Sequence, residues 1–193
     1  MVSAIEALFN PDFIIENELI KLRIVSPGDL SQLEEIASDP SIWKYYTVEL
    51  YTEEDLKLYV QKCLADFSTK SLVPFVIIDK QINKIVGMSA YGNISVPDRR
   101  IEIGWSWIGS SFQGTGVNGS YKKLLLKFAF EHLDFLRVEF KTDVLNGKAR
   151  KALLKIGATE EGILRSHTLM HHDRRRDTIY YSILKEEWLK QSN

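Results

Sequence analysis

The segment from Gln113 to Gly119, with the sequence QGTGVNG, constrains this chain more than any other part of it. It follows an apolar strand that is predicted to end near Ile108, and it precedes a helix that is predicted over residues 120–133. Glycines at the start of a helix let a phosphate approach the main chain closely. The first N–H groups of a helix have no internal partner, and the helix dipole favours negative charge there. The segment therefore indicates a site for a cofactor that carries a pyrophosphate.

One interpretation of the glycines is a dinucleotide-binding site, because Gly114, Gly116 and Gly119 spell the pattern G-x-G-x-x-G. In such a site the strand runs directly into the first glycine, and an acidic residue ends the next strand. Here residues 109–113 intervene, and Glu139 lies in the middle of a predicted strand. The preceding strands are hairpin-like rather than part of a β-α-β unit. The context therefore argues against NAD.

The spacing of apolar residues predicts an α+β fold with a mixed, mostly antiparallel sheet flanked by helices, in a single domain over residues 1–193. Helices are expected after Pro27, after a cap at Thr52, and over residues 120–133 and 146–156. Strands are expected at 20–24, 72–78, 84–94, 100–108, 136–144, 162–170 and 177–184.

The strand at 100–108 is predicted to have one apolar face and one face towards a cleft. Strict alternation places the apolar set in the core and Glu102 on the other face, beside Gly104. A carboxylate beside a glycine, next to a phosphate-type loop, suggests a cleft with room for a ligand. The alternative is that Glu102 pairs with a basic residue on a solvated sheet face. The apolar set is Ile101, Ile103, Trp105 and Trp107, and the opposite set is Glu102, Gly104, Ser106 and Ile108.

Composition excludes several kinds of protein. The net charge of −1 argues against nucleic-acid binding, and the basic run at 174–176, which lies between Asp173 and Asp177, is interpreted as a solvated turn. Cys63 has no partner in the chain, which fits a reducing compartment. No apolar run is long enough for a membrane span, so we expect a cytoplasmic protein. Because His171 and His172 would point to opposite faces of a strand, no metal site is predicted.

The run from Glu102 to Ala158 resembles the GNAT superfamily of acetyl-CoA-dependent N-acyltransferases. Gln113-x-x-Gly116 matches the start of the Q/R-x-x-G-x-G/A motif of that family, and Asn146 matches its asparagine near the pantetheine arm. Residues 155–158 (KIGA) are similar to the family's K-L-G-F ending. Residues 161–165 (EGILR), 176–177 (RD), 181–184 (YSIL) and 187–188 (EW) are similar to the RimJ/RimL-like branch, which includes acetyltransferases of protein N-termini.

The resemblance implies a GNAT fold, acetyl-CoA as the acetyl donor, and Glu102 as the general base. It implies that coenzyme A contacts the loop and the strand before it, where an N–H near Trp107 or Ile108 would meet negative charge developing on the thioester oxygen. The residues expected to contact coenzyme A are Trp107, Ile108, Gln113, Gly114, Thr115, Gly116, Val117, Asn118, Gly119 and Asn146.

The acceptor side of the site is predicted from aromatic residues. Trp43, Tyr45 and Tyr46 lie in a segment that resembles the family's substrate-covering loop, and packing under that loop is an equally good interpretation. Tyr91 is added as a substrate contact. Ala149 and Leu153 stand where members of the family often place a serine or a tyrosine as general acid. Either Tyr91, Tyr181 or water takes that role, or the chemistry depends mainly on positioning.

These residues predict acetyl transfer to a primary amine, either a peptide N-terminus or a small molecule. The alternative is an acyl-CoA-binding sensor without catalysis, because both familiar proton donors are missing and a fold does not guarantee an activity. A homodimer is left open.

Overall fold

The computed structural model describes residues 2–191, in which eight strands form one sheet in the order β1-β2-β3-β4-β5-β6-β8-β7. Neighbouring strands are antiparallel, except that β5 and β6 are parallel. The predicted fold class, α+β with a mixed and mostly antiparallel sheet, is confirmed. The strands are β1 Ile14–Glu16, β2 Ile20–Ile24, β3 Leu72–Asp79, β4 Lys84–Ser95, β5 Arg100–Ile108, β6 Arg137–Asp143, β7 Thr159–Leu169 and β8 Arg175–Leu184.

The helices begin at residues suited to capping. Thr52 caps the first turn of α3 as predicted, since its hydroxyl accepts a hydrogen bond from the N–H of Asp55 at 3.2 Å. The helix after the glycine loop starts at Val117, three residues earlier than predicted, and continues as a π-helical turn over Phe128–His132. The helices are α1 Val2–Ala7, α2 Leu30–Ala37, α3 Glu53–Ser68, α4 Val117–Lys127, α5 Gly147–Lys155 and α6 Lys185–Gln191.

Apolar side chains pack on both faces of the sheet. On one face, α4 inserts Tyr121, Leu125 and Leu126 against β2 and β5, and all three are fully buried. On the other face, α2 and α3 contribute a second cluster that contains Leu33 and Val60. Most apolar side chains of the central strands are therefore shielded from water by helices on the two faces of the sheet.

Strand β5 carries a β-bulge at Trp105 and Ser106. Ala90 of β4 pairs with Gly104, but Met88 pairs with Trp107, so β5 has one extra residue between these two pairs. Trp105 has φ +52°, which is rare for a bulky residue. The bulge shifts the alternation of side chains by one residue.

The predicted faces of β5 are therefore wrong beyond Gly104. Ile101, Ile103 and Ile108 share one cluster, whereas Trp107 lies in the cluster on the other face. Trp105, expected in the core, is exposed. Strict alternation fails because it assumes an uninterrupted ladder, and a bulge changes which face every later side chain takes.

Candidate active site

A cleft opens where β5 and β6 separate. The two strands pair only over Arg100–Glu102 and Arg137–Glu139, although β5 continues to Ile108 and β6 to Asp143. Beyond the paired segment, both strands and the helices that follow them contribute side chains to the cleft. Its walls are formed by Tyr45, Tyr46, Thr47, Glu102, Ile103, Gly104, Trp105, Ser106, Asn118, Lys122, Phe140, Lys141, Thr142, Asn146, Ala149, Ala152, Leu153, His167, Thr168 and Arg176.

The carboxylate of Glu102 lies at the point where the strands separate, and its side chain is only 4% exposed. Its Oε2 atom accepts a hydrogen bond from Asn93 Nδ2 at 2.6 Å and lies 3.1 Å from Lys141 Nζ. Its Oε1 atom has no hydrogen-bond donor among residues 2–191, and it is not one of the enclosed polar atoms without a partner. Oε1 therefore reaches the open space of the cleft.

Two glycines make room for this arrangement. A Cβ atom on Gly104 would lie 2.8 Å from Oε1 of Glu102, closer than such atoms approach. A Cβ atom on Gly92 would lie 2.3 Å from the indole of Trp105, which the bulge directs across β4. The ammonium of Lys141 lies 5.8 Å from the centre of the same indole ring. Gly104 therefore leaves space beside Glu102, as the sequence predicted.

The glycine loop has the geometry that phosphate binding requires. Gly114 and Gly116 have φ values of +82° and +97°, and Gly116 is the residue immediately before α4. A Cβ atom at Gly114, Gly116 or Gly119 would meet no protein atom within 4 Å, so the main chain is open to an approaching group. The eleven-residue α4 directs its free N–H groups towards that space. The loop therefore fits the pyrophosphate of coenzyme A.

The side chains of the loop have different positions. Val117 packs into the core, Asn118 lines the cleft, and the hydroxyl of Thr115 donates a hydrogen bond to the carbonyl of Phe112 at 2.7 Å. Gln113 donates a long hydrogen bond, 3.5 Å, to the carbonyl of Ile108. This bond joins the loop to the end of β5.

Helix α5 closes the opposite wall. Asn146 precedes its first turn, and its Oδ1 accepts a hydrogen bond from the N–H of Ala149 at 3.0 Å. The amide nitrogen of Asn146 is left to contact a ligand, since this residue also lines the cleft. Ala149 and Leu153 face the cleft as well, at the positions where the resemblance led us to look for a proton donor.

Two of the four aromatic residues predicted to contact the acceptor lie in the core instead. The indole of Trp43 donates a hydrogen bond to the carbonyl of Ala37 at 2.8 Å, and the hydroxyl of Tyr91 donates one to the carbonyl of Leu125. Both side chains are almost completely buried, and neither lines the cleft. Their predicted role is therefore corrected to packing, which their size and apolar surface favour.

Tyr45 and Tyr46 do line the cleft. The hydroxyl of Tyr46 donates a hydrogen bond to the carbonyl of Ser106 in the bulge. Burial of this hydroxyl raises the pKa of Tyr46 well above its usual value. Tyr46 therefore keeps its proton at neutral pH and holds the covering segment against β5.

Three further predicted residues outside the glycine loop do not line the cleft, and within the loop only Asn118 does. The side chains of Trp107 and Ile108 are buried, and both residues pair with β4. The hydroxyl of Tyr181 lies 3.1 Å from Arg150 Nε and 3.3 Å from Glu160 Oε2, away from the cleft. Neither tyrosine named for the general acid, Tyr91 or Tyr181, is therefore positioned for it.

Four ionisable side chains of the cleft were not predicted to lie there from the sequence: Lys122, Lys141, His167 and Arg176. Lys122 is 7% exposed, and its ammonium lies 3.5 Å from the hydroxyl of Ser106. His167 shares a hydrogen bond with Thr178 across the β7–β8 pair. Arg176 was assigned to a solvated turn, yet it lies in β8 and is 8% exposed. Arg176 was noted as part of a family motif, but no local pattern places any of the four in the cleft, because tertiary packing brings them together.

A model of the acetyltransferase (GNAT) domain matches residues 20–159 of this chain. The chain belongs to the GNAT family. A protein named "Putative ribosomal N-acetyltransferase YdaF", from Bacillus subtilis, is 29% identical over 184 residues, which cover 89% of this chain and 94% of that protein. A GCN5-related N-acetyltransferase from Brucella melitensis superimposes with a TM-score of 0.85 at 25% identity, over 95% of this chain and 84% of that one.

A second structure, ribosomal-protein-S5-alanine acetyltransferase from Vibrio fischeri, has a TM-score of 0.74 at 20% identity, over 92% of this chain and 99% of that one, and shows the shared fold. Together these matches confirm the predicted GNAT fold and family, and the name of the Bacillus subtilis relative is consistent with the RimJ/RimL-like branch. The GNAT chain is an N-acetyltransferase, and proteins with this domain use acetyl-CoA. The sensor hypothesis loses its support, because the curated relatives are named as N-acetyltransferases.

Two structural findings concern other classes of function. Among residues 2–191, no helix combines the length and the apolar character needed to cross a bilayer. The same residues contain no group of three or more His, Cys, Asp or Glu side chains that could hold a metal ion.

Proposed function

We propose that this GNAT enzyme transfers an acetyl group from acetyl-CoA to a primary amine by direct attack, and that Glu102 accepts the proton of the amine directly or through water. The observation that carries the proposal is that Glu102 is the only carboxylate among the described residues of the cleft. A protonated amine is not a nucleophile, so a proton acceptor is needed. Bound acetyl-CoA supplies the thioester that the amine attacks.

In this proposal the two carboxylate oxygens of Glu102 have different roles. Asn93 and Lys141 both hold Oε2, so the carboxylate keeps one orientation. Oε1 points into the cleft beside Gly104 and is the atom that takes the proton. Because the carboxylate is held in one orientation, it is already positioned to accept the proton of the amine. This supports the hypothesis that the enzyme raises the reaction rate mainly by positioning the reacting groups.

The residues expected to hold coenzyme A lie at the end of β5, in the glycine loop and at the start of α5. Main-chain N–H groups of Gly114 to Gly119 would bind the pyrophosphate, and Asn118 and Asn146 would contact the pantetheine arm. Open space at the three glycines supports this placement.

The acceptor is expected to enter under the covering segment, where Tyr45, Tyr46 and Thr47 line the cleft. A protein N-terminus and a small amine are both retained as acceptors, and the name of the Bacillus subtilis relative favours a ribosomal protein. A cytoplasmic location and a homodimer stay predictions.

The test compares wild type with Glu102→Gln in a pH–rate profile that measures release of the coenzyme A thiol with one active amine. Glutamine keeps the shape of the side chain but cannot accept a proton at neutral pH. The loss of a general base lowers kcat by ~10²–10⁴-fold. The defect should shrink as the pH rises, because the free amine then becomes abundant without help. The affinity for acetyl-CoA should stay nearly unchanged.

Glu139→Gln is the matched control. Glu139 lies opposite Glu102 in the register of β5 and β6, but its carboxylate forms ion pairs with Arg100 and Arg137 outside the cleft. This variant should leave kcat close to that of wild type. Near wild-type turnover of Glu102→Gln at pH 7, or a loss of acetyl-CoA affinity instead, would show that Glu102 is structural and that the base lies elsewhere.

A further inference from the structure

Arg176 is a nearly buried cation that faces the cleft without an ionic partner among residues 2–191. Its side chain enters the cleft from β8, and the residue is 8% exposed. Its Nε donates a hydrogen bond to the hydroxyl of Thr178 at 3.1 Å. A guanidinium has four further N–H donors, on its two terminal nitrogens. Neither nitrogen bonds to the described chain, and neither is an enclosed atom without a partner, so both reach the cleft.

The two carboxylates whose charge acts on Arg176 are already paired with other cations. Asp143 is fully buried and forms its ion pair with Arg174, while Glu102 forms its ion pair with Lys141. Burial lowers the pKa of Arg176, and the fields of Asp143 and Glu102 offset this effect only in part. An arginine remains charged in this setting, so its partner has to come from outside the described chain.

The other charges of the cleft have the same sign. Three cationic side chains, Lys122, Lys141 and Arg176, face one carboxylate, Glu102. The difference of three minus one leaves two positive charges, in a chain whose net charge is −1. Lys122 forms no ion pair with residues 2–191 either, although it is buried beneath the bulge. A ligand that carries a negative charge would compensate this excess.

We propose that Arg176 binds a carboxylate of the acceptor, so that the preferred substrates are amines that also carry a carboxylate. Its planar donors match the geometry of a carboxylate, which can accept two parallel hydrogen bonds. The carboxylate could belong to a free amino acid or to an acidic side chain near a peptide N-terminus. This inference rests on the proposed function, because it places the amine in the cleft that contains Glu102.

Two matched pairs of acceptors separate these sources. The first pair is an amino acid and its primary amide, leucine and leucinamide. The second pair is alanyl-aspartyl and alanyl-asparaginyl peptides with amidated C-termini. Wild type should show a kcat/KM about 10- to 100-fold higher for the acidic member of at least one pair, the value of one or two charge-assisted hydrogen bonds. The pair that shows the preference identifies the source.

Arg176→Met should reduce the ratio of kcat/KM between the acidic and the neutral member of the pair towards one, mainly by raising KM for the acidic member. Arg175→Met is the control, because Arg175 is exposed and bonds to Ser166 outside the cleft. It should keep the preference. Arg176→Lys retains the charge but not the two parallel donors, so it should recover only part of the discrimination.

Binding of each acceptor to the complex with coenzyme A, measured by calorimetry, keeps this inference separate from the proposed function. If no amine is acetylated but the acidic member still binds more tightly and depends on Arg176, the proposed chemistry fails and the carboxylate site stands. Two results with the acceptors would overturn the carboxylate site: equal kcat/KM and equal binding for both members of each pair in wild type, or a preference that survives in Arg176→Met. A third result would be an effect of Arg176→Met on the choice between acetyl-CoA and succinyl-CoA, because it would assign the anion to the acyl donor.

Discussion

Replacement of Gly116 by valine should weaken coenzyme A binding far more than it weakens the fold. Gly116 has φ +97° at the start of α4, and a Cβ atom there would meet no protein atom within 4 Å. The cost to the folded protein is therefore backbone strain alone, about 1–2 kcal/mol for an L-residue with a left-handed conformation. For a chain of this length, that corresponds to a fall in Tm of about 2–8 °C.

Coenzyme A binding is weakened because the new side chain would occupy the open space in front of the loop. A branched side chain there would keep the pyrophosphate from the N–H groups at the start of α4. Loss of one hydrogen bond to a charged group is worth about 1.5–3 kcal/mol, so Kd should rise about 10- to 100-fold. Calorimetric titration with coenzyme A gives the affinity, and a thermal melt without ligand gives the strain.

Gly162→Val is the control, because Gly162 also has a positive φ, +150°, and open space, but lies on β7. It should lose stability while Kd stays unchanged. Coenzyme A should raise the Tm of wild type by mass action, and NAD should not. If both variants bind coenzyme A like wild type, or if NAD binds at micromolar concentration and coenzyme A does not, the assignment of the pyrophosphate to this loop is refuted.

Two predictions concern stability. Thr52→Ala removes the cap of α3 and should cost about 1 kcal/mol, measured by urea unfolding, with acetyl transfer unaffected; an unchanged midpoint would show that the cap contributes nothing. Burial alone would raise the pKa of Asp29, but hydrogen bonds from Arg23 and Ser26 outweigh it and lower that pKa. The folded-state pKa is thus below the unfolded one, so this stabilisation is present above pH ~4 and is lost as the pH falls through the folded value. Asp29→Asn should therefore destabilise the protein at pH 7, by about 1–3 kcal/mol, and converge with wild type in acid; an equal difference at both pH values would contradict the linkage.

The general features of the site could be read from the sequence because they are local. The loop at Gln113–Gly119 combines residues whose backbone preferences act within a few positions, and the helix after it follows from a 3.6-residue period. Caps at Thr52 and Asn146 depend on a side chain and an N–H three residues later. Glu102 was recognised because a carboxylate beside a glycine on an apolar strand is unusual, and because the GNAT motif fixes its distance from Gln113.

The partners of those residues were decided only by the tertiary structure. The bulge at Trp105 reverses the faces of β5, and it depends on pairing with β4, which period-two alternation does not encode. Tyr91 was assigned to the substrate because of its chemistry, yet packing against α4 gives its hydroxyl a partner in the core. Arg176 was assigned to a solvated turn, but the pairing of β8 with β6 and β7 places its side chain in the cleft that Glu102 also lines. The sequence determines which polar and charged side chains the protein has, whereas the pairing of distant strands determines which of them are removed from water. A charge that is removed from water needs a partner, and that need gives it a role in a binding site.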